Sequence, residues 1–167
     1  DENMPYTDRN WRDKYRKKII SGEEAAQKMR SGMSIQDANT DEALAIVNPL
    51  TKRQDIEDLT VYVGIMPPDS PFAHPEQLGN RFKIYSLFLN RLSVPLLERG
   101  LVDFIPAHNS RLSRLFTDNH IKIDADFLIL TPPDRNGFLS MSYSPLAHKP
   151  MVHHLKRERG DNFLVIA

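Results

Sequence analysis

Two groups of polar residues sit where a sheet protein can do chemistry. His108-Asn109-Ser110 follows the apolar run Leu101-Val102-Asp103-Phe104-Ile105-Pro106 and leads into a one-sided stretch ending Leu115-Phe116. A strand that stops at a proline and passes into a helix exposes backbone N–H groups at the turn, and these can hold an anion or a carbonyl oxygen. His108 can add a hydrogen bond to such a ligand; in the plainer reading Ser110 only caps the helix. Ser140, Ser142 and Ser144 alternate along a second stretch, so all three hydroxyls face one side. That row either lines a polar cleft or forms the solvent face of an edge strand. His153 and His154, adjacent on a helix, would diverge by about 100°, a poor arrangement for a metal. No Gly-x-Gly-x-x-Gly, Walker-type glycine-lysine loop, His-Glu-x-x-His or Gly-x-Ser-x-Gly occurs, so none of those chemistries is indicated.

The elements that must position these groups read as an organising unit at 101–144. Leu101–Pro106 and Asp124–Leu130 are predicted as strands buried on both faces, joined by a helix over 107–116 into a right-handed βαβ unit. The turn Asp134-Arg135-Asn136-Gly137 then leads to a strand over Phe138–Ser142. Ile65, Ile105 and Leu130 are each followed within two residues by proline, which ends a ladder and releases the backbone as loop. Parallel sheets bind ligands outside such carboxyl ends, although proline also ends strands that bind nothing.

Elsewhere the pattern predicts a helix from Asp8 to about Ile20, capped by Thr7 and packed through Trp11, Tyr15 and Ile19. Ser21 with Glu24 has capping-box spacing and opens a helix over Glu23–Arg30 that stops at Gly32. Met33–Gln36 reads as a short strand, and Thr40 caps a helix from Asp41 to about Leu50. Between them no glycine loop stands after the first strand; either this copy is built differently or a loop is missing between Gln36 and Asp37. Leu59–Ile65 and Phe82–Leu89 are further strands, separated by a polar, proline-bearing loop over 69–80. Helices follow at Val94–Arg99, stopped by Gly100, and at His148–Arg159, and a strand at Asn162–Ala167 ends without turn or cap, as a cut chain would.

The totals predict an α/β protein with a mostly parallel sheet flanked by helices, Rossmann-like, as one domain over 1–167. The chain has 40% apolar residues and balanced charge, 22 Lys plus Arg against 22 Asp plus Glu. That composition supplies a core but no dense basic face for nucleic acid. The absence of cysteine removes disulfide and thiolate-metal frameworks and suits a reducing cytoplasm. No stretch approaches the ~20 apolar residues of a membrane span.

The run Gly100–Phe116, with its Gly-x-x-Asp-Phe-x-Pro strand and Ser-x-Leu-x-x-Leu-like helix, resembles the acetyl-CoA hydrolase/CoA-transferase family, of the 4-hydroxybutyrate CoA-transferase type. Asp126–Ser140, containing Thr131-Pro132-Pro133-Asp134 and Gly137-Phe138-x-Ser140, is similar to a second family segment. Trp11, the Ser21–Gly32 helix and Phe88-Leu89-Asn90-Arg91 match in order and spacing. The resemblance implies the amino-terminal half of a two-half enzyme that moves coenzyme A between an acyl-CoA and water or a small carboxylate. It implies a glutamate nucleophile in the second α/β half, no catalytic residue in this one, coenzyme A as substrate with no cofactor or metal, and a homo-oligomer. The substrate-binding positions it implies are Met66, Arg91, the turn Pro106, His108 and Asn109, and Ser140 with Ser142; Arg91 can meet a carboxylate bidentately. One departure stands out, since Gln36-Asp37-Ala38-Asn39 replaces the family's glycine-bearing loop. A non-catalytic acyl-CoA- or metabolite-binding or assembly module is the alternative from another class, and a sugar-phosphate isomerase-like protein a third.

Overall fold

A computed structural model of the chain describes residues 8–37, 42–141, 145 and 147–167. Among them, six strands form one parallel sheet: β1 (Ser34–Gln36), β2 (Leu59–Val63), β3 (Phe82–Ser86), β4 (Asp103–Phe104), β5 (Ala125–Phe127) and β6 (Leu164–Ile166). Their order is β4-β3-β2-β1-β5-β6. The helices are α1 (Trp11–Lys14), α2 (Gly22–Gln27), α3 (Leu44–Lys52), α4 (Ser93–Glu98), α5 (Leu112–Thr117) and α6 (His148–Arg159).

Period-two alternation sorts each strand's residues onto two faces. Ile35, Val61, Ile84 and Ala125 share one register row. They pack with Ala25, Ala26 and Met29 from the α2 region, Ile46, Val47 and Leu50 of α3, and Leu96 of α4. The opposite face is covered by Leu112 and Phe116 of α5 and Met151 and Leu155 of α6, with Phe163 and Ile123 between them. Each such side chain leaving water contributes roughly 1.5–3 kcal/mol.

Several expected elements form as read. The Ser21 capping box is complete: its Oγ accepts from the Glu24 N–H at 3.1 Å, and a Glu24 carboxylate oxygen accepts from the Ser21 N–H at 2.7 Å. Helix α6 spans His148–Arg159, the range expected for it, and ends at Gly160 with φ +52°. Helix α3 instead begins at Leu44, and the expected caps Thr7 and Thr40 lie outside the described residues. The Asp37 N–H donates to the Tyr62 carbonyl at 2.9 Å, which carries the pairing of β1 with β2 one residue past Gln36; residues 38–41 lie outside the described residues.

The organising unit at 101–144 is corrected in three respects. Leu101–Pro106 supplies a two-residue edge strand, β4, not a buried one: Asp103 is exposed, and the strand's sheet partner is β3. Strands β4 and β5 are not neighbours, because three strands stand between them. The chain after β4 therefore crosses to the far side of β1. Phe138–Ser140 is not a sheet strand. It folds back locally, with the Thr131 N–H donating to the Ser140 carbonyl at 3.0 Å and the Asp134 N–H to the Phe138 carbonyl at 2.9 Å. Phe138, left on this excursion, is 73% exposed.

The expected first helix breaks at Tyr15 into α1 and a 3-10 turn over Arg16–Lys18 that buries no residue. Trp11 and Tyr15 are half-buried, and Ile19 remains exposed. Ser110 is not the cap of the helix after β4. That turn is capped by His108, whose Nδ1 accepts from the Ser110 N–H at 3.4 Å and lies 2.9 Å from its Oγ.

Candidate functional site

The strand order places a topological switch at β1. The chain leaves β1 toward β2 on one side, while β5 pairs with β1 on the other. Connections departing in opposite directions leave a crevice outside the carboxyl ends of the two strands. A cleft of about 780 Å³ lies there, bounded by Glu42–Ile46 after β1, Leu128–Leu130 after β5, the edge strand β6, and the segment Lys17–Gly22. Its apolar lining includes Ile19, Ile20, Leu44, Ile129, Leu164 and Ile166. Strand β6 is a sheet edge with half-buried residues, which leaves this side of the sheet open.

Lys17 and Lys18, from the 3-10 turn, and Lys28, at the end of α2, stand around the cleft. Among the described residues none of the three has a carboxylate within ion-pair distance. The segment from Arg9 to Lys18 carries six cations and one anion, in a chain whose formal net charge is zero. The arrangement suits an anion bearing an apolar or extended arm: the charges meet the lysines while the arm leaves water against the isoleucines and leucines.

Buried polar groups gather at the same strand ends. The Asp37 N–H holds the β2 backbone, and its Oδ1 accepts from the Ala43 N–H at 3.3 Å, ahead of α3. Glu42 lines the cleft, is 5% exposed, and accepts a hydrogen bond at Oε1 from the Ser70 hydroxyl. Burial, then the neighbouring charges of Asp37 and Asp69, push its carboxyl from its ordinary 4.5 up to about 8, against the pull of the Ser70 hydrogen bond. Both causes favour the carboxylic acid form. Its Oε2 has no hydrogen-bond partner among the described residues.

On the α5/α6 face, Gln36 and Asp126 are register partners, and Asp126 Oδ1 meets His148 Nδ1 at 2.8 Å. Burial pushes the Asp126 carboxyl up to about 6, opposed by His148. This pair is sealed: Asp126 and His148 are 0% and 2% exposed. Among the described residues no three His, Asp or Glu side chains converge as a metal site requires.

The positions expected to bind substrate are spread along the carboxyl rim. Met66 sits after β2 but is a core residue, 1% exposed, and its carbonyl accepts from Asn90 Nδ2 at 2.9 Å. Arg91 is exposed in the turn before α4, and Pro106, His108 and Asn109 are exposed after β4. Ser140 is exposed on the excursion after β5, its N–H donating to Thr131 Oγ1 at 3.0 Å. Ser142 lies outside the described residues. The rim after β2, β3 and β4 thus holds five of these positions, and none of the six that are described lines the cleft at β1, β5 and β6. Glu42, Ser70 and the three lysines were not read as site residues. The one signal toward them was the missing glycine loop after Gln36.

The model of the acetyl-CoA hydrolase/transferase N-terminal domain matches residues 4–156. The chain is 21% identical to the 4-hydroxybutyrate coenzyme A transferase of Clostridium kluyveri over 94% of its own length and 39% of that protein. Over 46% of its length it is 29% identical to a succinyl-CoA:acetate/propanoyl-CoA:succinate CoA transferase of Fasciola hepatica, of which it covers 16%. Among solved structures, RipA from Yersinia pestis superposes with a TM-score of 0.69 at 28% identity, covering 79% of this chain and 33% of that one. A 4-hydroxybutyrate CoA-transferase from Porphyromonas gingivalis superposes at 0.62 with 18% identity, over 86% of this chain and 33% of that one, a likeness of fold. The chain thus spans about two fifths or less of the length of each of these relatives.

Proposed function

The chain belongs to the acetyl-CoA hydrolase/transferase family, whose N-terminal domain it matches, and on that premise we propose that it forms one wall of a site where coenzyme A passes between an acyl group and water or a small carboxylate. The observation that carries this reading is the lysine-bordered apolar cleft at the β1/β5 switch point. An acyl-CoA has the matching chemistry, with phosphates at one end and an extended acyl-bearing arm at the other. Lys17, Lys18 and Lys28 would meet the phosphates, and the apolar walls would exclude water from the arm.

In this reading the chain supplies binding and orientation, and the nucleophile is a glutamate of a second α/β half. That carboxylate attacks the thioester carbonyl and expels the CoA thiolate, leaving a mixed anhydride. Returning thiolate then forms an enzyme–CoA thioester and releases the first carboxylate, splitting one transfer into two steps. Water or an acceptor carboxylate completes the reaction.

Calorimetric titration of the chain with acetyl-CoA tests the reading. Binding should weaken as salt rises and fall about tenfold or more in a K17A/K18A/K28A variant. CoA release, followed with a thiol reagent, should require addition of the second half. Binding that ignores the three lysines, or none at any salt concentration, would overturn the assignment.

A further inference from the structure

Glu42 is the cleft residue whose chemistry the proposed phosphate and acyl contacts leave unused. Three observations concern it independently. It lines the cleft wall together with the first turn of α3. It is 95% removed from solvent, being 5% exposed, yet Oε2 lacks a hydrogen-bond partner among the described residues. Its other oxygen is held by Ser70, whose Oγ also accepts from the Phe72 N–H at 3.0 Å, so the Ser70 hydroxyl proton is directed to Glu42.

A buried polar atom without a partner costs about 1–3 kcal/mol, and a ligand oxygen can recover that. With Oε1 already accepting from Ser70, the acid proton belongs on Oε2, which has no hydrogen-bond partner among the described residues. Resting on the reading above, we propose that Glu42 donates a hydrogen bond from Oε2 to a carbonyl or carboxylate oxygen of the acyl ligand, so that the cleft distinguishes an acyl thioester from the free thiol of coenzyme A. The charged groups that act on it are Asp37 at the end of β1 and Asp69 beside Ser70 after β2; Lys17, Lys18 and Lys28 line the same cleft. The two aspartates oppose its ionisation.

The test compares acetyl-CoA with free CoA, by calorimetry, at pH 6 and pH 9. The chain should bind acetyl-CoA about fivefold to tenfold tighter than CoA at pH 6, and should lose that preference at pH 9 as Glu42 ionises. E42Q, which keeps an N–H donor, should hold the preference at both pH values. E42A should bring acetyl-CoA down to the affinity of CoA at both. A preference that survives in E42A, or that is the same at pH 6 and pH 9 in the unsubstituted chain, overturns the role of Glu42 while leaving the cleft intact. Failure of both ligands to bind overturns the functional reading, and this proposal with it.

Discussion

Replacing Glu42 by glutamine should stabilise the chain in alkaline solution and do little in acid. The unfolded carboxyl ionises at its ordinary 4.5, whereas in the folded chain burial and the charges of Asp37 and Asp69 defer ionisation to about 8. Between those values the folded state holds the proton more tightly than the unfolded state. Stability is therefore fully present below pH 4.5, declines as pH rises through the interval, and levels off above 8. At about 1.4 kcal/mol per tenfold, the full displacement corresponds to an upper bound of about 5 kcal/mol. Local rearrangement around Ser70 absorbs part of it, so the advantage of E42Q at pH 9 should fall below that bound while keeping its sign. The amide keeps an acceptor for the Ser70 hydroxyl and does not titrate, so E42Q removes the alkaline penalty without opening a cavity. Urea unfolding midpoints of both proteins at pH 5, 7 and 9, with the slopes checked for equality, give the comparison directly. Near-coincidence at pH 5 and a growing advantage for E42Q is the expected outcome. Parallel curves across the range, or E42Q the less stable at pH 9, would refute the reasoning that Glu42 is a buried neutral acid.

Three further outcomes follow from the packing. H148A leaves Asp126, 0% exposed, without its 2.8 Å partner, and should cost about 3 kcal/mol in urea unfolding at pH 7; a loss below about 1 kcal/mol would mean that water reaches the pair. G22A would place a Cβ 1.8 Å from the Ala45 carbonyl oxygen, forcing α2 from α3 and costing about 2 kcal/mol or more. G32A, at φ +77° with open space around it, should cost only about 1 kcal/mol, so the ranking of the two thermal midpoints checks the helix contact. S21A removes the hydroxyl half of the capping box and should lower stability by about 1 kcal/mol, read from the same melts.

What could be read from sequence was local. Ser21 and Glu24 form a capping box with partners three residues apart, and α6 declares itself between His148 and Gly160 without reference to the rest of the chain. Leu101–Ile105 could not be read correctly, because an apolar run has the same composition in a central strand and at an edge. Only long-range pairing assigns β4 to β3 and sends the chain across the sheet. Met66 was expected at the rim and is placed there by β2, but it packs into the core, where Asn90, from the turn before α4, holds its carbonyl. Glu42 gave no sign of its role, since an acid beside an aspartate in a polar stretch looks solvated. Its burial comes from α3 docking on α2 and from the arrival of Ser70, 28 residues away.

The same dependence on pairing explains why the sheet tolerates its polar row. Asp103, Tyr85, Tyr62, Gln36, Asp126 and Val165 are successive register partners across all six strands, and so lie on one face. Tyr62 and Tyr85 stack at 5.4 Å, Gln36 donates to the Asp37 carbonyl at 2.8 Å, and Asp126 meets His148. Apolar side chains of similar volume would do as well or better for stability, because a buried charged pair seldom repays its desolvation. The row does distinguish registers. Sliding β5 by one residue would turn Asp126 toward the face packed by Met29, Val61 and Leu50, away from His148 on α6, leaving an unpaired carboxyl in an apolar core. A slip therefore costs several kcal/mol in strands of only three residues, whose few hydrogen bonds could not otherwise fix their pairing. The polar row thereby holds the carboxyl ends of β1 and β5 at the level where the cleft opens.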